Sequence, residues 1–143
     1  VAPVAAPASN TNANPDGTTY RDIVHLSLGG NAIRLRISNE FSATPLTLAS
    51  VHAALSAGGA ATQTGTDHPV TFGGIESVTI PAGANIVGDL VPIPVKHFTN
   101  LAVSLFVPAQ PGTTLTYHTL GMSTNYIAAG NVTPAGISKE PRK

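Results

Sequence analysis

Residues 32–38 read Ala-Ile-Arg-Leu-Arg-Ile-Ser, with apolar and polar side chains alternating from Ile33 onward. Successive side chains of an extended chain point to opposite faces, so Ile33, Leu35 and Ile37 share one face and Arg34, Arg36 and Ser38 the other. A helix, with its period of about 3.6 residues, would mix the two sets; a strand with one buried and one wet face separates them. Residues 101–107 repeat the pattern, with Leu101, Val103, Leu105 and Val107 on one face and Ala102, Ser104 and Phe106 on the other.

On the N-terminal side, residues 20–28 alternate less cleanly: Tyr20, Val24, Leu26 and Leu28 are predicted to face inward, with Ile23 out of step. Gly29-Gly30-Asn31 predicts a hairpin turn into residues 32–38, because glycine and asparagine tolerate positive φ. On the C-terminal side, a strand is expected within 46–55, a long Gly/Ala/Thr-rich loop over 56–66, and a tight connection at Gly73-Gly74. Pro92 and Pro94 cannot donate to a central ladder, so 86–95 reads as an edge strand, and 115–127 is a last long run interrupted at Gly121. About eight such runs, with no helical period of useful length, predict an all-β fold, an antiparallel β-sandwich of jelly-roll type. The sandwich is expected over 19–129, preceded by an Ala/Pro/Asn-rich arm, 1–18, and followed by a polar linker or tail, 130–143.

The chain has 143 residues, enough for one domain with a real core. It has no cysteine, which excludes disulfides, thiolate zinc sites and cysteine nucleophiles. Seven Lys plus Arg balance seven Asp plus Glu, and only Lys139, Arg142 and Lys143 cluster, so nucleic acid is an unfavoured partner. No apolar run approaches a membrane span, and no membrane partner is expected. Low charge with abundant Ala, Thr, Ser, Asn and Gly fits a secreted, extracellular protein.

Five histidines, His25, His52, His68, His97 and His118, fall in no H-x-H or H-E-x-x-H pairing, and no metal or other cofactor is predicted. No G-x-S-x-G elbow and no Gly-Asp-Ser block is present, so no catalytic residue is assigned. Arg34 and Arg36, running on into Ser38, Asn39 and Glu40, form the most polar stripe; it reads as a solvated face with Arg–Glu pairing or as a surface for sugar hydroxyls or another domain. Tyr117, His118, Asn125 and Tyr126 form a second polar-aromatic group. The candidate contact residues are Arg34, Arg36, Asn39, Glu40, His118 and Asn125. Asn131-Val132-Thr133 matches a glycosylation sequon, a pattern that also arises by chance.

The stretch TYRDIVHLSLGGNAIRLRISNEFSATPLTLASVHAAL (19–55), followed by DHPVTFGG (67–74), SVTIPAGA (77–84), NLAVSLFVPAQ (100–110) and TYHTLGMSTNY (116–126), resembles the N-terminal domain of secreted two-domain SGNH (GDSL-type) hydrolases. The resemblance implies a β-sandwich ahead of an α/β esterase domain, whose Gly-Asp-Ser block and later Asp and His map onto no position here. The expectation is a non-catalytic accessory domain that packs on the C-terminal SGNH catalytic domain, with carbohydrate as a candidate ligand. The alternatives are a free-standing carbohydrate-binding module, a structural subunit assembling through edge strands, and a small enzyme in its own right.

Overall fold

A computed structural model describes residues 3–5, 16–110, 112, 116–118 and 123–134, with the backbone alone for 3–5, 117 and 118. Among the described residues there are twelve strands and no helix: β1 (Pro3–Ala5), β2 (Thr18–His25), β3 (Arg36–Ser38), β4 (Leu46–Leu48), β5 (Ser50–Gly58), β6 (Ala61–Thr62), β7 (His68–Pro69), β8 (Val78–Ile80), β9 (Asn85–Val87), β10 (Asn100–Val107), β11 (Thr116–His118) and β12 (Tyr126–Ala129). The count exceeds the expected eight because eight of the twelve have three residues or fewer: β1, β3, β4, β6, β7, β8, β9 and β11.

The main sheet runs β12-β2-β10-β5, with β6 and β7 also pairing with β5, and every ladder is antiparallel. It curls into a half-barrel. The register places Leu101 opposite Leu55, Val103 opposite Ala53 and Leu105 opposite Val51, so the alternation read in 101–107 becomes an apolar face two strands wide. On the other flank of β10 the same rows continue to Val24, Asp22 and Tyr20.

A second layer covers this face. Residues 30–38 run antiparallel to 85–95, through β3–β9 and the bridges Ile33–Val91 and Gly30–Val95, and β4 pairs with β8. Leu46, Leu48, Ile80, Val91, Ile93 and Val95 from this side pack with Val51, Ala53, Leu101, Val103 and Val107 from the main sheet. Burying each large aliphatic side chain stabilises by roughly 1.5–3 kcal/mol. Pro92 and Pro94 alternate with the buried Val91, Ile93 and Val95 and stay exposed, so their missing N–H groups cost the core nothing.

The structure departs from the sequence reading at several places. Val24 and Leu28, expected inward, are 42% and 73% exposed, because the strand ends at His25 and the chain turns toward the second layer. Gly29-Gly30 is no hairpin turn: neither residue takes positive φ, and β2 pairs with β10 and β12, not with residues 30–38. Gly29 is needed for close approach instead, since a Cβ there would sit 2.8 Å from the Val95 carbonyl oxygen and 3.1 Å from the His97 nitrogen. Residues 56–66 are no single loop; β5 runs on to Gly58 and turns into β6. At Gly73-Gly74 both residues do take positive φ, and the Phe72–Ile75 bridge closes the tight connection.

Candidate functional site

Of the polar stripe, Arg34, Arg36 and Glu40 are exposed, but Asn39 is fully buried. Its amide donates to the carbonyls of Thr44 (2.9 Å), Ile80 (3.2 Å) and Pro81 (3.2 Å), tying the 39–44 turn to the end of β8. Asn39 is therefore a structural clamp and is corrected as a contact residue; its Oδ1 finds no partner among the described residues. The expected Arg–Glu pairing is also missing among the described residues, where the close contact of a basic ring with a carboxylate is the hydrogen bond of His52 to Asp67.

Arg34 and Arg36 border a cleft of about 660 Å³ between the two layers, within the ~300–1,000 Å³ typical of ligand pockets. Its walls are apolar, with Leu101, Val103 and Leu105 on one side and Ile33, Leu35 and Ile37 on the other, while Asp22 and Thr116 add polar groups. The Arg34 guanidinium donates to the Gly88 carbonyl at 3.4 Å. Next to it, the Asp89 carboxylate accepts from the Thr71 hydroxyl (2.6 Å) and the amides of Gly74 (2.8 Å) and Gly73 (3.1 Å). The Thr71 hydroxyl first, then the two amides, hold Asp89 below the usual carboxylate range, with Arg34 adding to the shift.

Asn125 lies elsewhere, on β12's approach to the main sheet, where its Oδ1 accepts from the Ile23 amide at 3.3 Å. His118 sits in the β1–β11 ladder opposite Pro3, and its side chain, like that of Tyr117, lies outside the described residues. The fold thus brings Arg34 and Arg36 together at the cleft and separates both from Asn125.

The most concentrated chemistry lies on the face of the main sheet turned away from the core. One row across four strands carries Tyr126, Arg21, Ser104 and His52, each directly opposite the next. His52 Nδ1 is 2.7 Å from Asp67 Oδ2, so a serine, a histidine and an aspartate stand in sequence as a hydrolytic triad would. The geometry opposes that role. Ser104 is 2% exposed, its Oγ accepts from Arg21 Nε at 2.7 Å, and it makes no hydrogen bond to His52 among the described residues. A guanidinium donating to the hydroxyl withdraws the lone pair that a nucleophile needs.

Arg21 is itself fully buried. Besides Ser104, it donates to the carbonyls of Ala60 (2.7 Å) and Thr133 (3.0 Å). Burial lowers the pKa of its guanidinium, an effect opposed by the Asp67 carboxylate. Residues 130–134, assigned from sequence to the tail, form its cover. Thr19 Oγ1 donates to the Gly130 carbonyl (2.6 Å) and accepts from the Val132 amide (3.1 Å). The Thr133 hydroxyl donates to Asn131 Oδ1 (2.9 Å), so Ser50 must be the donor in its 2.9 Å contact with Thr133. The sequon residues therefore have a structural task.

Arg21, which lies in residues 20–28 between the expected inward positions, was not singled out from the sequence, and nothing local marked it. The signal was indirect: Ser104 and Ser50, small polar residues at positions facing away from the core, leave room for one long side chain. No group of three or more His, Asp or Glu side chains that could hold a metal occurs among the described residues. Among them, too, no helix is long and apolar enough to cross a membrane. No protein-family model matches the chain, and no curated protein matches it.

Proposed function

We propose that the chain is a non-catalytic accessory domain of a secreted SGNH-type esterase, a β-sandwich of jelly-roll type that packs on the catalytic domain. The observation that carries this reading is the state of Ser104. In the Ser–His–Asp grouping that the main sheet assembles, Ser104 is buried and its hydroxyl is held by Arg21, which is bonded in turn to the Thr133 carbonyl, so this chemistry serves the fold. The exposed Arg34 and Arg36 beside the 660 Å³ cleft provide the contact surface for the catalytic domain. The blocks 19–55, 67–74, 77–84, 100–110 and 116–126 supply the resemblance that names the partner.

The test has two parts. The purified chain should hydrolyse p-nitrophenyl acetate no faster than buffer, and the reading frame of the native protein should encode a Gly-Asp-Ser block. Ester hydrolysis by the chain that disappears in Ser104→Ala would make it an enzyme and end this reading. Replacing Arg34 and Arg36 together with alanine should weaken docking to the catalytic domain; unchanged docking would remove them as contacts.

A further inference from the structure

Phe98 takes φ 59°, the one positive φ outside glycine among the described residues. Bulky L side chains rarely adopt this left-handed conformation. Burial does not explain it, because Phe98 is 72% exposed. The conformation instead places the ring beside His25, with centroids 6.0 Å apart and planes 19° from parallel, and His97 tilts in at 6.5 Å and 50°. His25 is fixed in turn: its Nδ1 lies 2.8 Å from Asn100 Oδ1, the residue opposite it in the β2–β10 ladder. An amide oxygen only accepts, so neutral His25 carries its hydrogen on Nδ1 and presents Nε2 as an acceptor.

Asn100 also lines a separate open pocket of about 220 Å³ together with Ile23, Ser56, Ser123, Thr124 and Tyr126. The β5–β6 turn glycines close one side, and the Tyr126 hydroxyl lies 3.7 Å from where a Cβ on Gly59 would stand. Tyr126 shares its row with Arg21, and Arg21, Ile23 and His25 follow one another on the same face of β2. From the Tyr126 row to the His25 row is four residues along the strand, about 13 Å at ~3.3 Å per residue. The surface is thus an aromatic ring at each end with hydroxyls and an amide between.

Each class of ligand meets this surface differently. A wholly apolar ligand would strand Asn100, Ser56, Ser123 and Thr124 without water. A charged ligand would find no charged residue among the described residues that line the pocket. A ring with an apolar C–H face and a rim of hydroxyls satisfies both parts, stacking on aromatic faces and bonding to the polar groups. We propose that the Tyr126–Asn100–His25–Phe98 surface binds a short neutral oligosaccharide, with Phe98 strained into the open as its stacking platform. The inference rests on the accessory-domain reading for the purpose of binding; binding itself is a property of this chain.

The experiment is an NMR titration of the ¹⁵N-labelled chain with cellotetraose, xylotetraose and chitotetraose, each to millimolar concentration. At least one should shift the amides of Phe98, Asn100, Gly59 and Tyr126 saturably. Phe98→Gly suits the positive φ and removes the ring, so it should keep or raise Tm while weakening binding about tenfold or more. Asn100→Ala should also weaken binding, and Arg36→Ala, at the other cleft, should leave it unchanged. Three sugars that move none of these amides, shifts confined to the Arg34–Arg36 cleft, or a Phe98→Gly variant that binds as tightly as wild type would each overturn the proposal. No catalytic domain is in the tube, so failed docking leaves this result standing and a failed titration leaves docking untouched.

Discussion

Replacing Arg21 with methionine removes the charge from the buried row while keeping similar length. Ser104 Oγ, Ala60 O and Thr133 O then lose their guanidinium donors. These losses are unequal. Ala60 is half-buried and water can reach its carbonyl, and the Ser104 hydroxyl can rotate to another partner. The Thr133 carbonyl sits under a residue that is 1% exposed and has no such escape. An unsatisfied buried acceptor costs about 1–3 kcal/mol, so full cost at Thr133 and part cost at the other two sum to about 2–5 kcal/mol. Relief of the guanidinium's desolvation offsets some of this, leaving a net loss of about 1–4 kcal/mol. For a domain of this size that lowers Tm by about 3–12 °C. Urea and thermal denaturation measure the loss, and hydrogen exchange locates it: the Val132 amide, bonded to Thr19, should lose protection before the β10 amides do. Buried charge networks can be replaced by apolar residues without loss in some proteins. An Arg21→Met variant as stable as wild type, with Val132 still protected, would refute the claim that the guanidinium anchors residues 130–134.

The Asp89 pKa is depressed in the folded state, so its contribution to stability is present above the unfolded value of about 4 and disappears as pH falls through the lower folded value. Asp89→Asn should therefore differ most from wild type near neutral pH and converge on it in acid, as read from denaturation midpoints between pH 2 and 7; a constant difference would show that the carboxylate's charge is irrelevant. Gly29→Ala should destabilise by about 1–3 kcal/mol because its Cβ would meet backbone atoms of Val95 and His97, whereas Gly30→Ala, with its nearest neighbour at 3.7 Å, should be mild; equal midpoints would remove the close-approach argument. Leu48→Ala, at a fully buried position between the layers, should cost about 2–5 kcal/mol by chemical denaturation.

What could be read from sequence was whatever alternation alone decides. The faces of residues 101–107 follow from a period of two residues, whichever strand lies alongside, and the structure keeps them. Residues 33–37 keep their faces too, with Ile33, Leu35 and Ile37 against the core cluster and Arg34 and Arg36 outside. Partnership is another matter. Residues 30–38 pair with 85–95, a contact between distant stretches, and the glycines that suggested a local hairpin were instead answering Val95. Arg21 was illegible for the same reason: Thr133, which helps to bury it, is 112 residues away. Asn39 stood beside the polar stripe and was grouped with it, although asparagine at the start of a turn often bonds nearby backbone. Phe98 had no sequence signal, since a left-handed phenylalanine is too rare to expect.

The main sheet shows why both candidate surfaces depend on a single register. In β2, Tyr20 lies opposite Leu105 on the core side, while Arg21 lies opposite Ser104 on the far side. A slip of one residue between β2 and β10 would exchange these sets, bringing a guanidinium into the apolar core and an aromatic ring beneath residues 130–134. Arg21 opposes that slip from its own side, because its bonds to Ser104, Ala60 and Thr133 can form in one alignment only. The same alignment puts Asn100 opposite His25, and with it the stacked Phe98. The buried row thus acts on the exposed aromatic pair through the ladder, so a variant that loosens Arg21 should broaden the His25 and Phe98 resonances even where the β10 core face stays intact.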